Sequence, residues 1–284
     1  MVELDVERID YERYPNRQLM AGPLVVLLVA LLVIAGWFFV TGSPVNPGIE
    51  FTGGTEIQVV AEASQSELRA AFDAPVQSVR PIPAAEDTFI ITFQSTDASS
   101  LEQQARAAGY SVTSVQSTSP SFGGNTQQLA VMGVATAFVG MSIVVFFLFR
   151  TAIPSLAVVL SAFSDIMVPI ALMNLVGIKL SLGTVAALLM LIGYSVDSDL
   201  LLTNHVLRRR GGFYESAYRA MRTGVTMTLT SLSASIVMAL TAAILGIDLL
   251  TAIGTVLAFG LATDLMNTYL FNLGLLRWYR GLDA

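Results

Sequence analysis

Long apolar runs, broken by short polar stretches, dominate the chain. Six are long enough to cross a bilayer as helix, which takes about 20 residues: 19–41, 126–149, 153–177, 180–207, 222–246 and 249–276. The first is expected to stay as a span rather than be cleaved as a signal sequence. Its apolar run is too long, a polar stretch of eighteen residues precedes it, and no small-residue cleavage site follows. Between the first and second spans the period changes. Phe89, Ile91 and Phe93 alternate as in a strand, whereas Leu68, Ala71 and Phe72, and Leu101, Ala105 and Ala108, recur at helical spacing. The pattern predicts strand 54–62, helix 64–73, strand 76–83, strand 88–95, helix 97–109 and strand 111–119, with Ser64 and Asp97 as N-caps and Gly109 as a C-cap. The order βαββαβ is that of a ferredoxin-like α+β unit. The predicted domain runs over 48–125, with "TSPSFGGN" (118–125) as a hinge back into the membrane.

Basic residues orient the spans. Arg8, Arg13 and Arg17 precede the first, and Arg150 separates the second and third. Arg208, Arg209, Arg210, Arg219 and Arg222 lie between the fourth and fifth, and Arg277 and Arg280 follow the sixth. With six spans all of these fall on one side, the cytoplasm. The expected layout is a cytoplasmic N-terminus (1–18), an extracytoplasmic domain (48–125), a five-helix bundle (126–276) with a cytoplasmic loop at 208–221, and a cytoplasmic C-terminus (277–284). The loop region 207–222 predicts a short amphipathic helix able to touch anionic lipid.

Composition agrees with a multi-pass membrane protein: 54% of the 284 residues are hydrophobic and 13% charged, against about 25% charged in soluble domains. There is no cysteine and a single histidine, His205. That removes thiolate chemistry and speaks against a metal centre. Lys179 is the only lysine and the net charge is −6; an acidic, lysine-poor surface points to a high-salt organism. The loop 48–125 carries nine acids against Arg69, Arg80 and Arg106, which excludes nucleic acid as a partner. No phosphate-cradling glycine motif occurs, so no nucleotide is expected. "FTGGT" (51–55) has no lysine or helix behind it and reads as a turn into the first strand. No catalytic set and no cofactor motif stands out, and the chain is not expected to be an enzyme.

Four acids lie inside spans: Asp165, Asp197, Asp199 and Asp264. A charge at the bilayer centre costs at least about 2.5–3.5 kcal/mol. Asp197 precedes Arg208 by eleven residues, about 16 Å along a helix and near the midplane of a core about 30 Å thick. Asp165 and Asp264 lie at similar depth, so carboxylates from three helices can converge. Two readings stand: a relay for protons or ions, or neutral acids that bond helices together. Asp197 and Asp199 are about 200° apart around a helix. The expectation is that Asp197 faces the bundle, while Asp199, nearer the cytoplasm, faces an entrance or another subunit. Polar stripes accompany the acids: Thr228, Ser231 and Ser235 on the fifth span, Gly260, Asp264 and Asn267 on the sixth, Ser161 and Ser164 on the third.

One span, a large outside domain and five further spans resembles half of a resistance-nodulation-division (RND) transporter. Within that superfamily the motifs are similar to those of SecF, a subunit of the SecDF protein-export complex. "GIEFTGGTEIQV" (48–59) resembles the family's glycine motif, here Gly48, Glu50, Phe51, Thr52, Gly53, Gly54 and Thr55, with Glu50 where the family usually has aspartate. "GYSVDSDLLLTNHVLRR" (193–209) resembles its Gly-Tyr-Ser motif, here Gly193, Tyr194 and Ser195; "RTGVTMTLTS" (222–231) is a weaker match. Bacterial members place the motif aspartate at the position of Ser198, whereas Asp197 matches the sister subunit SecD. The pattern looks archaeal, of a haloarchaeal kind given the acidity, with SecD as a separate chain. The resemblance implies a partnership with SecD and a SecYE-type channel, and an unfolded preprotein as substrate. It also implies Asp197 as the ion-binding acid, Arg222 as a basic partner near the cytoplasmic mouth, and a proton or sodium gradient as driving force. The alternatives are a scaffold subunit without coupling and an RND-type small-molecule exporter.

Overall fold

The computed structural model describes residues 11–208 and 212–282. Its first long helix, α1 (Asn16–Thr41), enters a short linker and a one-turn helix, α2 (Ile49–Thr52). The sheet domain follows as β1 (Gly54–Val60), α3 (Gln65–Ala70), β2 (Val76–Pro81), β3 (Thr88–Phe93), α4 (Ala98–Ala107) and β4 (Ser111–Thr118). The strands pair antiparallel in the order β2-β3-β1-β4, the ferredoxin-like arrangement expected of βαββαβ. Alternation decides the faces. Ile57, Val59, Val79, Ile91 and Phe93 turn to one side and are buried under Leu68 and Phe72 of the α3 segment and Leu101 and Ala105 of α4. Each large apolar side chain so buried contributes about 1.5–3 kcal/mol. Phe72 and Phe93 meet edge to face, 4.8 Å between ring centres. Ser64 and Glu67 form a reciprocal capping box on α3, and the two hydrogen bonds from Ser64 hold the exposed Glu67 carboxyl below its ordinary value. The other face is polar. Ser78 donates to Thr92 (3.0 Å) and Thr92 to Glu56 (3.1 Å), a hydrogen-bonded row across three strands.

The remaining helices are α5 (Pro120–Phe149), α6 (Ala152–Val176), α7 (Leu182–Arg208), α8 (Phe213–Leu245) and α9 (Asp248–Met266), the last continuing through a π-helical turn (Asn267–Asn272) into α10 (Leu273–Tyr279). Among the described residues, six helical stretches are long and apolar enough to cross a membrane. α6 is the most enclosed of them. Two apolar clusters fill the bundle: Met173, Ala187, Leu188, Leu191, Val256 and Leu261 nearer the sheet domain, and Leu202, Val206, Ala220, Met221, Leu273 and Leu276 at the opposite end. In that second cluster Arg277 is fully buried, and its Nη1 donates to the carbonyls of Tyr11 (2.6 Å) and Tyr14 (3.0 Å), pinning the N-terminal turn to α10.

Three boundaries differ from the sequence expectation. The hinge at 118–125 is helical from Pro120, whose fixed φ suits a first helical position. Those residues wind against α2, where a Cβ on Gly123 would come within 2.6 Å of the Phe51 carbonyl oxygen. The amphipathic stretch before the fifth span is continuous with it, because Ala217, Ala220 and Met221 join the end cluster. The sixth span is interrupted by the π turn, an insertion that reorients side chains and recurs at functional sites.

Candidate functional site: a buried carboxyl cluster

Asp165 of α6, Asp199 of α7 and Asp264 of α9 are 1%, 0% and 2% exposed. The site is built where these three helices cross. α7 turns Ala187, Leu188, Leu191, Ser195, Asp199, Leu202 and Val206 inward, at spacings of one, three or four residues. α9 approaches closely because Gly260 lies under Leu191, whose Cδ1 would be 2.3 Å from a Cβ there. The π turn then brings Asn267, Thr268 and Asn272 to the same interior.

Every cluster hydrogen bond runs to a neutral side chain or to the backbone. Asp165 accepts from Ser195 Oγ and Asn267 Nδ2, each at 2.6 Å. Asp199 accepts from Asn272 Nδ2 at 2.8 Å and Thr268 Oγ1 at 2.9 Å. Thr268 Oγ1 also lies 3.2 Å from Asp264 Oδ1, and Ser198 Oγ lies 2.6 Å from that oxygen and 2.9 Å from the Ser195 carbonyl. Among the described residues none of the three acids is in an ion pair; the salt bridges present are at exposed positions. Ser198 Oγ also lies 3.3 Å from Thr268 Oγ1. The arrangement is a continuous hydrogen-bonded network across α7 and α9, joined to α6 through Ser195 and Asn267.

The structure corrects the sequence expectation about the two neighbouring aspartates. Asp199 faces the bundle; Asp197 is exposed and points outward with Met190, Gly193 and Tyr194. The run before these acids, 185–192, is apolar on all sides, so helix phase was not legible from periodicity. The packed face containing Leu188, Leu191 and Ser195 set it, and the roughly 200° between the two acids did the rest. Arg222 is half-buried on α8 and takes no part in these hydrogen bonds. The stripe Thr228, Ser231, Ser235 is a helix seam rather than a lining. Ser235 Oγ donates to the Ser231 carbonyl at 2.9 Å, and Gly254 of α9 packs on the Ser235 backbone. Asn267 does join the site. Ser198, Thr268 and Asn272 were missed as site residues, although Asp264, Thr268 and Asn272 repeat every four residues and show the stripe.

In the glycine motif Gly48 donates to Leu180 O at 2.7 Å and Phe51 is buried. Thr52 Oγ1 donates back to Gly48 O at 3.3 Å, and Thr55 Oγ1 donates to Ser117 Oγ at 3.1 Å. Gly53 and Gly54 have φ of 78° and 143°, and a Cβ on them would meet Pro120 N at 2.7 Å and Phe93 O at 2.5 Å. The pair is needed where the linker, the sheet and α5 meet. The anticipated turn is thus one turn of helix followed by a tight glycine step.

Residues 99–281 match the family model described as "Protein export membrane protein SecD/SecF, C-terminal", and residues 38–65 match the "SecD/SecF GG Motif". The chain is 64% identical over 282 residues to the protein-export membrane protein SecF of Haloferax volcanii, covering 99% of this chain and 98% of that one. This chain belongs to the SecF family. SecF of Haloquadratum walsbyi is 60% identical over 286 residues, with the same coverage of 99% and 98%. Both relatives are archaeal, of the haloarchaeal kind suggested by the acidic composition. Among solved structures, the translocon-associated membrane protein SecDF from Thermus superposes with a TM-score of 0.73 at 21% identity, covering 97% of this chain and 39% of that one. That likeness shows the shared fold. This SecF-family chain is a multi-pass membrane protein of protein export, and its glycine motif and carboxyl-bearing helices fall within the matched regions.

Proposed function

We propose that this SecF works beside SecD and a SecYE-type channel, and that its buried carboxyls couple export of an unfolded preprotein to an ion gradient. The supporting observation is the buried network Ser198–Asp264–Thr268–Asp199, in which, among the described residues, no basic side chain pairs with the carboxyls. A proton entering or leaving it changes the charge at the α7–α9 crossing, and a sodium ion in place of the proton would act on the same oxygens. Asp197, outward on α7 at mid-depth, is too costly to face lipid and is covered by the SecD partner in this reading. The basic residues at the helix ends put both termini in the cytoplasm and the sheet domain outside, where it meets emerging polypeptide. The protein acts without enzymatic chemistry and without an organic cofactor or resident metal.

Appearance of secreted protein outside the cell, with and without an imposed gradient, tests this. Asp199→Asn and Asp264→Asn are each expected to abolish the stimulation by the gradient while the complex with SecD still assembles. Full stimulation in both variants would leave only a scaffold role. Asp197→Asn is expected to weaken co-purification with SecD more than it weakens the response to the gradient.

A further inference from the structure

Besides its chain connections, the sheet domain touches the bundle at the starts of two carboxyl-bearing helices, and Gln77 of β2 accepts from Lys179, just before α7, at 3.4 Å. At the first, Glu50 Oε2 accepts from the amide of Leu182, the first residue of α7, at 2.5 Å. A carboxylate there satisfies an otherwise open amide and complements the helix dipole. The linker is held to the same point by paired bonds, Gly48 N to Leu180 O and Leu180 N to Asn46 O, each 2.7 Å. At the second, Arg80 of β2 grips Asp248, the first residue of α9, in a two-pronged pair of 3.1 and 2.7 Å. Beside it, Ile82 covers Gly246, where a Cβ would come within 2.4 Å of Ile82 Cγ2. Between these contacts, the polar sheet face and the helix ends line an open-sided cavity of about 740 Å³, with Glu56, Gln58, Ser114, Lys179 and Thr251 among its walls.

The placement is asymmetric. The chain enters the sheet at β1 and leaves from β4, whereas Arg80 lies on β2, the far edge of the order β2-β3-β1-β4. One side is therefore tied by the covalent chain and the Gly53–Gly54 step, the other by an exposed ion pair, an apolar contact and the long Lys179–Gln77 hydrogen bond. Asp199 lies seventeen residues beyond Leu182 and Asp264 sixteen beyond Asp248, about 25 and 24 Å along helices that transmit axial shifts as rigid rods.

From this geometry we infer that Glu50 and the Arg80–Asp248 pair are positioning residues that seat the sheet domain on α7 and α9, with the pair as a releasable latch over the cavity. The domain then opens about the glycine step when α7 and α9 shift against each other. This deepens the coupling reading above and rests on it only for what moves the helices.

The chain has no cysteine, so Ser114→Cys with Thr251→Cys gives a single spin-label pair across the cavity in the full chain assembled with SecD. Arg80→Ala and Asp248→Ala are each expected to lengthen and broaden that distance and to lower export several-fold. The exchanged pair Arg80→Asp with Asp248→Arg is expected to restore both. Glu50→Ala should loosen the distance, whereas Glu50→Gln, which keeps an acceptor for the Leu182 amide, should not. Unchanged distances in the alanine variants, or no recovery in the exchanged pair, would overturn the latch. Lengthened distances with full gradient stimulation in Asp199→Asn would instead remove the ion-coupling reading and leave the latch standing.

Discussion

A single hydroxyl carries much of the connection between the two central helices. Thr268 Oγ1 reaches Asp199 and Asp264 at once, so Thr268→Val keeps the shape and removes the shared hydrogen. Leaving buried acceptors unsatisfied costs about 1–3 kcal/mol, expected as a lower thermal midpoint in detergent together with loss of gradient-stimulated export. Thr268→Ser should retain both; loss in Thr268→Ser with full function in Thr268→Val would show that the methyl, not the hydroxyl, matters. The reversal of Asp197 and Asp199 belongs to this scale as well. The family motif drew attention to Asp197, whereas the interior is occupied by Asp199, because two positions along a helix separate inward from outward.

At the scale of elements, glycine sets how near helices lie. Gly260 has no room for a side chain against Leu191, and the α7–α9 crossing that juxtaposes Asp199 and Asp264 depends on it. Gly260→Val is expected to cost about 1–3 kcal/mol by overpacking and to separate the two acids; a thermal midpoint within error of the parent would refute the close crossing. The six spans and the βαββαβ order were legible because each element's period is long enough to read, as in Phe89, Ile91 and Phe93. The π turn at Asn267–Asn272 was not. It continues the helix with no glycine or proline to mark the insertion, so only the stripe Asp264, Thr268, Asn272 hinted that the interior face continued. The serine and threonine stripe on α8 misled for the converse reason: hydroxyls bond their own helix backbone as readily as they line a site.

For the whole molecule, the distribution of arginine predicts an orientation for the bundle, with the sheet domain held to its opposite end. A cysteine-free chain makes the orientation testable. Ser99→Cys in α4 is expected to react with a membrane-impermeant maleimide on intact cells, and Trp278→Cys in α10 only after the membrane is opened. The opposite pattern would invert the topology. The sequence by itself determined the membrane class, the number of spans, the order of strands and helices and the family, because these depend on local periodicity, composition and contiguous motifs. Only the tertiary structure decided which acids meet, that Thr268 and Asn272 join them, and that Glu50 and Arg80 land on the first residues of α7 and α9. Those outcomes depend on helix phase and on contacts between residues more than a hundred positions apart, such as Glu50 with Leu182 and Arg80 with Asp248, where packing of opposing surfaces, rather than any local pattern, sets the geometry.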